Sequence, residues 1–219
     1  MHKSITNLIE IRKEIQSNNF DNNSDVKIIA VSKTFPIENI LPLIDYGHLD
    51  FAENKVQEAI EKWSDIKDKR KNINLHLVGK LQTNKVKQAV KIFDYIHSLD
   101  SIKLAKKISE EQNKIKKNLK IFIQVNIGKE KQKSGIEIDD LPNFLNLCRD
   151  EYNLNIIGLM CLPPLSEDPS KYFEKMKTSS LDLSLRNLSM GMSNDYLKAI
   201  KYNANFIRVG SKIFGERSQ

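Results

Sequence analysis

VKIIAVSKTFP, residues 26–36, decides how the rest of the chain is read. The run from Val26 to Val31 is short, apolar apart from Lys27 and rich in β-branched residues, which predicts a strand inside a sheet, drawn here over Val26 to Ser32. Pro36 then starts the next helix. Between them stands Lys33, a cation delivered to the rim of the core. Desolvation there disfavours the ammonium form, and a neutral amine is the nucleophile that forms a Schiff base with an aldehyde. The segment alone favours the plainer reading, a lysine snorkelling to the surface before a turn, since charged side chains are seldom buried.

Working outward, short apolar runs alternate with longer amphipathic segments. Strands are expected at Val26 to Ser32, His48 to Ala52, Asn74 to Val78, Asp94 to His97, Lys120 to Val125, Asn155 to Leu159, Arg186 to Ser189 and Asn205 to Val209. Helices are expected at Ile37 to Asp45, Asn54 to Lys67, Thr83 to Val90, Ile102 to Lys116, Ile138 to Cys148, Ser170 to Leu183 and Asn194 to Tyr202. Strict strand–helix alternation argues for a parallel sheet. Eight strands in one domain favour a closed (β/α)8 barrel of the TIM type over an open doubly wound sheet. The opening MHKSITNLIEIRKEI reads as an amphipathic helix that plugs the barrel bottom or covers its side, and not as a secretion signal.

Composition bounds the function. At 219 residues the length alone admits two small domains, but no Pro, Gly or Ser-rich linker divides the chain, so residues 1–219 are read as one domain. Cys148 and Cys161 make neither a disulfide framework nor a metal site, which points to a reducing compartment. No apolar stretch approaches membrane-spanning length, so the expectation is a cytoplasmic protein without a membrane partner. A net charge of +7 raises a nucleic-acid reading, yet the lysines of KIKKNLK and KEKQK lie among acidic residues with no aromatic-interleaved basic stripe. Solvated helix faces explain them, and no specific nucleic-acid partner is expected.

In a barrel of this kind the chemistry lies at the strand ends. There the sequence places Lys33, Glu53 with Asn54, Gly79, Ser98, Asn126, Met160, Met190 to Ser193, and Arg208 with Gly210. Asn54 alone could equally be a helix N-cap. In LSMGMSNDYLKAI, Gly191 is expected to let the backbone approach a ligand, with Ser193 at the start of a helix. In FIRVGSKIFGER, Gly210 and Ser211 repeat the arrangement. Two Gly and Ser turns after strands seven and eight favour a phosphorylated ligand, with ordinary capping as the alternative for either turn alone. CLPPLSEDPS, with three of the six prolines, is the expected mobile loop.

VSKTFP, FAENKVQEA, HLVGKLQTNK, IHSLDS, IQVNIGKEKQKSG, IIGLMCLPP, LSMGMSNDYLKAI and FIRVGSKIFGER, in this order from Val31 to Arg217, resemble the pyridoxal phosphate homeostasis proteins, the YggS or PROSC family. The resemblance implies a fold-type III barrel like the N-terminal domain of alanine racemase. It implies pyridoxal 5'-phosphate (PLP) held covalently by Lys33, which reverses the plainer reading of that residue. It further implies Arg208 at the pyridine nitrogen, Ser193, Gly210 and Ser211 at the phosphate, Asn54 lining the pocket, and Met190 with Met192 packing nearby. The sequence departs from the family pattern at Ala52, Leu197, Asn203 and Ser211. Asn203 is expected to keep a left-handed cap, and Ser211 keeps a hydroxyl. Ala52 is expected to tighten the backbone near the pocket.

Two functions compete on this reading. A racemase-like enzyme needs a second base, which the related racemases take from a partner subunit's additional β domain, and His76 and His97 are as well explained as strand residues. The resemblance instead implies a non-enzymatic binder active in vitamin B6 and amino-acid homeostasis, with PLP-dependent apoenzymes as recipients. A monomer is the simpler expectation.

Overall fold

Alternation along the strands sets the architecture. In β1 (Lys27–Val31) Ile29 and Val31 face one way and Ile28 and Ala30 the other, and each set joins a different apolar cluster. The inward set continues as Ala52, Tyr95, Phe122, Met160 and Phe206, one layer-forming residue or two from each strand that supplies it. The outward set packs beneath the helices with Trp63, Phe93 and Phe173 among the largest buried side chains.

The computed structural model describes residues 1–18, 20, 26–130 and 134–216. Residues 131–133 of KEKQK and Arg217, the end of FIRVGSKIFGER, lie outside the described residues. The chain runs α1 (Lys3–Ser17), β1, α2 (Ile37–Asp45), β2 (Asp50–Glu53), α3 (Val56–Lys69), β3 (Asn74–Leu77), α4 (Val86–Ile92), β4 (Tyr95–Leu99) and α5 (Ile102–Lys114). It continues with β5 (Lys120–Val125), α6 (Leu141–Asn146), β6 (Ile156–Cys161), α7 (Ser170–Asp182), β7 (Asn187–Met192), α8 (Tyr196–Lys201), β8 (Phe206–Val209) and α9 (Ser211–Phe214). Neighbouring strands are parallel, and β8 pairs with β1 to close an eight-stranded barrel, the (β/α)8 architecture expected from the alternation.

The differences are local. The predicted helix at Thr83 begins as a 3₁₀ turn, Thr83–Lys85, before α4. The one predicted over Ile138 to Cys148 is built as a 3₁₀ turn, α6 and a closing π turn, Leu147–Glu151. Helix α1 buries Leu8, Ile11 and Ile15 against α2 and α9, and Asn7 Nδ2 donates to the Ile213 carbonyl at 2.9 Å. Of its two expected placements, it takes the one over the barrel side.

Candidate functional site

The two-residue period of a strand carries straight into the mouth. Val31 faces the barrel interior, so Lys33, two residues on, emerges on the same face; Asn54 follows Ala52 and Gly210 follows Arg208 in the same way. These residues border a cavity of about 720 Å³ with Met192, Ser193 and Ser211. Asn54 is not an N-cap, because α3 is capped at Lys55. Gly79 is held against it, since a Cβ there would lie 2.2 Å from the Asn54 carbonyl oxygen.

The lysine-bearing turn is clamped from behind. Lys62 Nζ, on α3, donates to the Ser32 carbonyl at 3.0 Å, to Glu53 Oε1 at 2.9 Å and to Glu58 Oε1 at 3.0 Å. Glu58 Oε1 also accepts from the amide of Thr34, a residue at φ 67°, and Ser32 Oγ donates to Glu53 Oε1 at 2.8 Å. Lys33 therefore projects, half-buried, from a backbone fixed on both sides. Glu53 is part of this support and does not line the cavity.

Strand β7 needs a correction. Ser189 lies opposite Phe206 but Met192 lies opposite Arg208, so three steps on β7 match two on β8, a bulge centred on Met190 and Gly191. Met190, next to the inward Ser189, points outward into the helix-facing core and is fully buried, and the bulge turns Met192 inward, so it is Met192 and not Met190 that borders the cavity. Gly191, at φ 89°, makes room for α8, not for a ligand: a Cβ there would sit 2.6 Å from Ala199 Cβ. Helix α8 begins at Tyr196, so Ser193 is not at its first turn. Instead Ser193 Oγ reaches across to the start of α9, accepting from the amides of Gly210 and Lys212 at 3.4 Å each. Ser193, Gly210 and Ser211 thus meet at one lip of the cavity.

Arg208 lies at the cavity floor, buried, with Nη1 donating to Ser189 Oγ at 2.6 Å and Nη2 to the Cys161 carbonyl at 2.9 Å. Burial pushes the Cys161 thiol up to about 12, so it is inert as a nucleophile there. Three residues near the wall escaped the sequence reading. Asp195 Oδ1 accepts from the Met192 amide at 2.6 Å and fixes the end of the bulge; Lys198 pairs with Asp168 at 2.9 Å; Phe35 stacks near Phe214 with centroids 5.0 Å apart. The proline-rich segment after β6 contributes a wall through Leu162, Pro163 and Pro164. Ser98, Asn126 and Met160, also expected at the mouth, do not border the cavity.

Comparison recovers the same class of molecule, a barrel of the alanine racemase N-terminal type. The family described as alanine racemase, N-terminal domain, matches residues 8–218. An alanine racemase of Clostridium difficile shares the fold at a TM-score of 0.73 and 16% identity, over 99% of this chain and 57% of that one. The pyridoxal phosphate homeostasis protein of Pasteurella multocida is 35% identical over 204 residues, 89% of this chain and 88% of its own, and that of Aquifex aeolicus 36% identical over 200 residues, 87% of each. PipY of Synechococcus elongatus, solved with PLP bound, superposes at a TM-score of 0.82 with 34% identity, over 93% of this chain and 98% of that one. The chain belongs to the pyridoxal phosphate homeostasis protein family.

Proposed function

We propose that this protein binds PLP in the mouth of the barrel, holds it as a Schiff base on Lys33 and serves PLP homeostasis without turning it over. The observation that carries the reading is the convergence on one cavity of a strand-end amine, a buried guanidinium and a cluster of hydroxyl and amide groups. That donor set fits an aromatic aldehyde with a ring nitrogen and a phosphate, and a PLP-bound relative of 34% identity supports it. When bound, the cofactor supplies an electrophilic aldehyde carbon and an electron-withdrawing ring.

The residues divide the work. Lys33 would hold the cofactor through its side-chain amine, the nucleophile that condensation with an aldehyde requires. Arg208 can only donate, so a pyridine nitrogen held against it would stay unprotonated and the ring would be a weaker electron sink. Ser193, Gly210 and Ser211 are assigned to the phosphate, and Asn54 and Met192 to the cavity wall. His76 and His97, the histidines weighed as a second base, are fully buried in the barrel and neither borders the cavity. This favours a carrier over a racemase. The proposal extends to a cytoplasmic monomer, one domain over its length, that hands PLP to PLP-dependent apoenzymes.

The test is borohydride reduction of the PLP-loaded protein followed by mass mapping. The adduct is expected on Lys33 and is expected to vanish in Lys33→Ala; a full-stoichiometry adduct in that variant would overturn the assignment.

A further inference from the structure

Inside the barrel, five side chains form one continuous line. Arg208 Nη1 meets Ser189 Oγ at 2.6 Å, Ser189 Oγ meets His97 Nδ1 at 2.8 Å, His97 Nε2 meets His76 Nδ1 at 3.0 Å, and His76 Nε2 meets Asp50 Oδ1 at 3.1 Å. The line starts under the proposed PLP cavity. It ends at a second cavity of about 750 Å³ at the opposite end of the barrel, bordered by Lys27, His48, Asp50, Asn187 and Asn205.

The two ends of the line have only one role each. A guanidinium donates and a carboxylate accepts. With both rings neutral, each contact is satisfied in a single direction: Arg208 donates to Ser189, Ser189 Oγ–H to His97 Nδ1, His97 Nε2–H to His76 Nδ1, and His76 Nε2–H to Asp50. Reversing the histidines would point a ring lone pair at the Asp50 carboxylate and leave the Ser189 proton without its partner. The rings are also fixed in plane, His76 stacked on Tyr95 with centroids 4.1 Å apart and His97 on Phe122 at 4.4 Å.

We propose that Asp50, His76, His97 and Ser189 are a positioning relay for Arg208: the carboxylate at the barrel bottom polarises the chain so that Ser189 Oγ presents its lone pair to the guanidinium and sets where it meets the cofactor. The proposal rests on the PLP reading above. It assigns a task to the two histidines other than acid–base chemistry. Burial, with His76 and the Arg208 guanidinium beside it, holds the His97 pKa well below its ordinary value, in keeping with a neutral ring at neutral pH.

Two measurements test it. Long-range proton–nitrogen NMR on the protein without cofactor, at pH 7, is expected to find both rings neutral with the proton on Nε2. A proton on Nδ1 of His97, or an imidazolium at either position, overturns the relay. With PLP bound, Ser189→Ala is expected to weaken binding about tenfold, the loss of one hydrogen bond to a charged group, and to shift the absorbance band of the bound cofactor. Asp50→Asn, remote from the cavity, should act in the same direction by a smaller factor, and Ser189→Thr, which keeps the hydroxyl, should retain the wild-type band. Unchanged affinity and band in Ser189→Ala overturn the proposal. A wild-type protein that takes up no PLP would instead sink the functional reading, while the tautomer measurement still decides the relay.

Discussion

At Glu53 a carboxylate shielded from water accepts three hydrogen bonds on one oxygen, from Lys62 Nζ, Trp63 Nε1 at 3.0 Å and Ser32 Oγ, while Oε2 has no hydrogen-bond partner among the described residues. Burial pushes its pKa up and the three donors only partly pull it back. The pair is thus weak evidence for stability, yet breaking it should be costly. Lys62→Met leaves the carboxylate buried without its counter-charge and frees the Ser32 carbonyl and Glu58, so a loss of about 3–5 kcal/mol at pH 7 is expected in urea unfolding. Glu53→Gln combined with Lys62→Met should recover part of it, because the orphaned charge is gone. Two equally destabilised variants would show that the ion pair is not what holds the Ser32–Thr34 turn.

At the level of elements, the bulge in β7 decides which methionine and which face serve the mouth. Gly191→Ala places a Cβ against Ala199 and forces an L side chain to φ 89°, so a loss of about 2 kcal/mol or more is expected as a lowered thermal midpoint. A variant as stable as wild type would mean the bulge can relax. The bulge also marks the limit of what the sequence discloses. Strand existence and order were legible because the strands are short, mostly buried runs bounded by polar segments, and Lys33, Asn54 and Arg208 follow from the two-residue period. Asn203 was legible for a similar local reason and holds the left-handed turn at φ 67°. Met190 was misplaced although the same period, counted from the inward Ser189, turns it outward; the inward turn of Met192 was not legible, because an extra residue in a ladder leaves no mark in a hydrophobic pattern. Lys62 was missed because its partners lie on other elements, Asp195 because it caps a bulge that the pattern does not show, and the Asp50–His76–His97 line because three different strands contribute to it.

Across the whole molecule, three histidines are taken out of water: His48, His76 and His97 are all buried. Burial is the largest influence on each and lowers each pKa, that of His48 from 6.5 to about 4. In the unfolded chain all three titrate near 6.5, so below that pH the unfolded state binds protons that the folded state refuses, and stability must fall as pH drops from about 6.5 toward the folded values. For His48, with each pH unit between 6.5 and about 4 worth ~1.4 kcal/mol, the full loss is about 3 kcal/mol. Glu53 works in the opposite sense: its raised pKa means that acidification relieves a penalty present at neutral pH. Asp50 sides with the histidines. Burial would raise its carboxyl, but the hydrogen bond from His76, aided by Lys27, leaves it lowered, so its contribution is present above the unfolded value near 3.9 and is lost only below that. Three histidines against one glutamate give a net acid sensitivity that begins near pH 6.5, well above the carboxylate range. Urea midpoints measured from pH 7.5 to 4.5 should hold nearly level to about pH 6.5 and decline below it, and His48→Gln, which keeps a polar side chain without a titrating ring, should flatten that slope by about one proton's worth. A midpoint that holds level from pH 6.5 to 4.5 would mean that the buried rings accept protons in the folded state, which their burial in the barrel argues against.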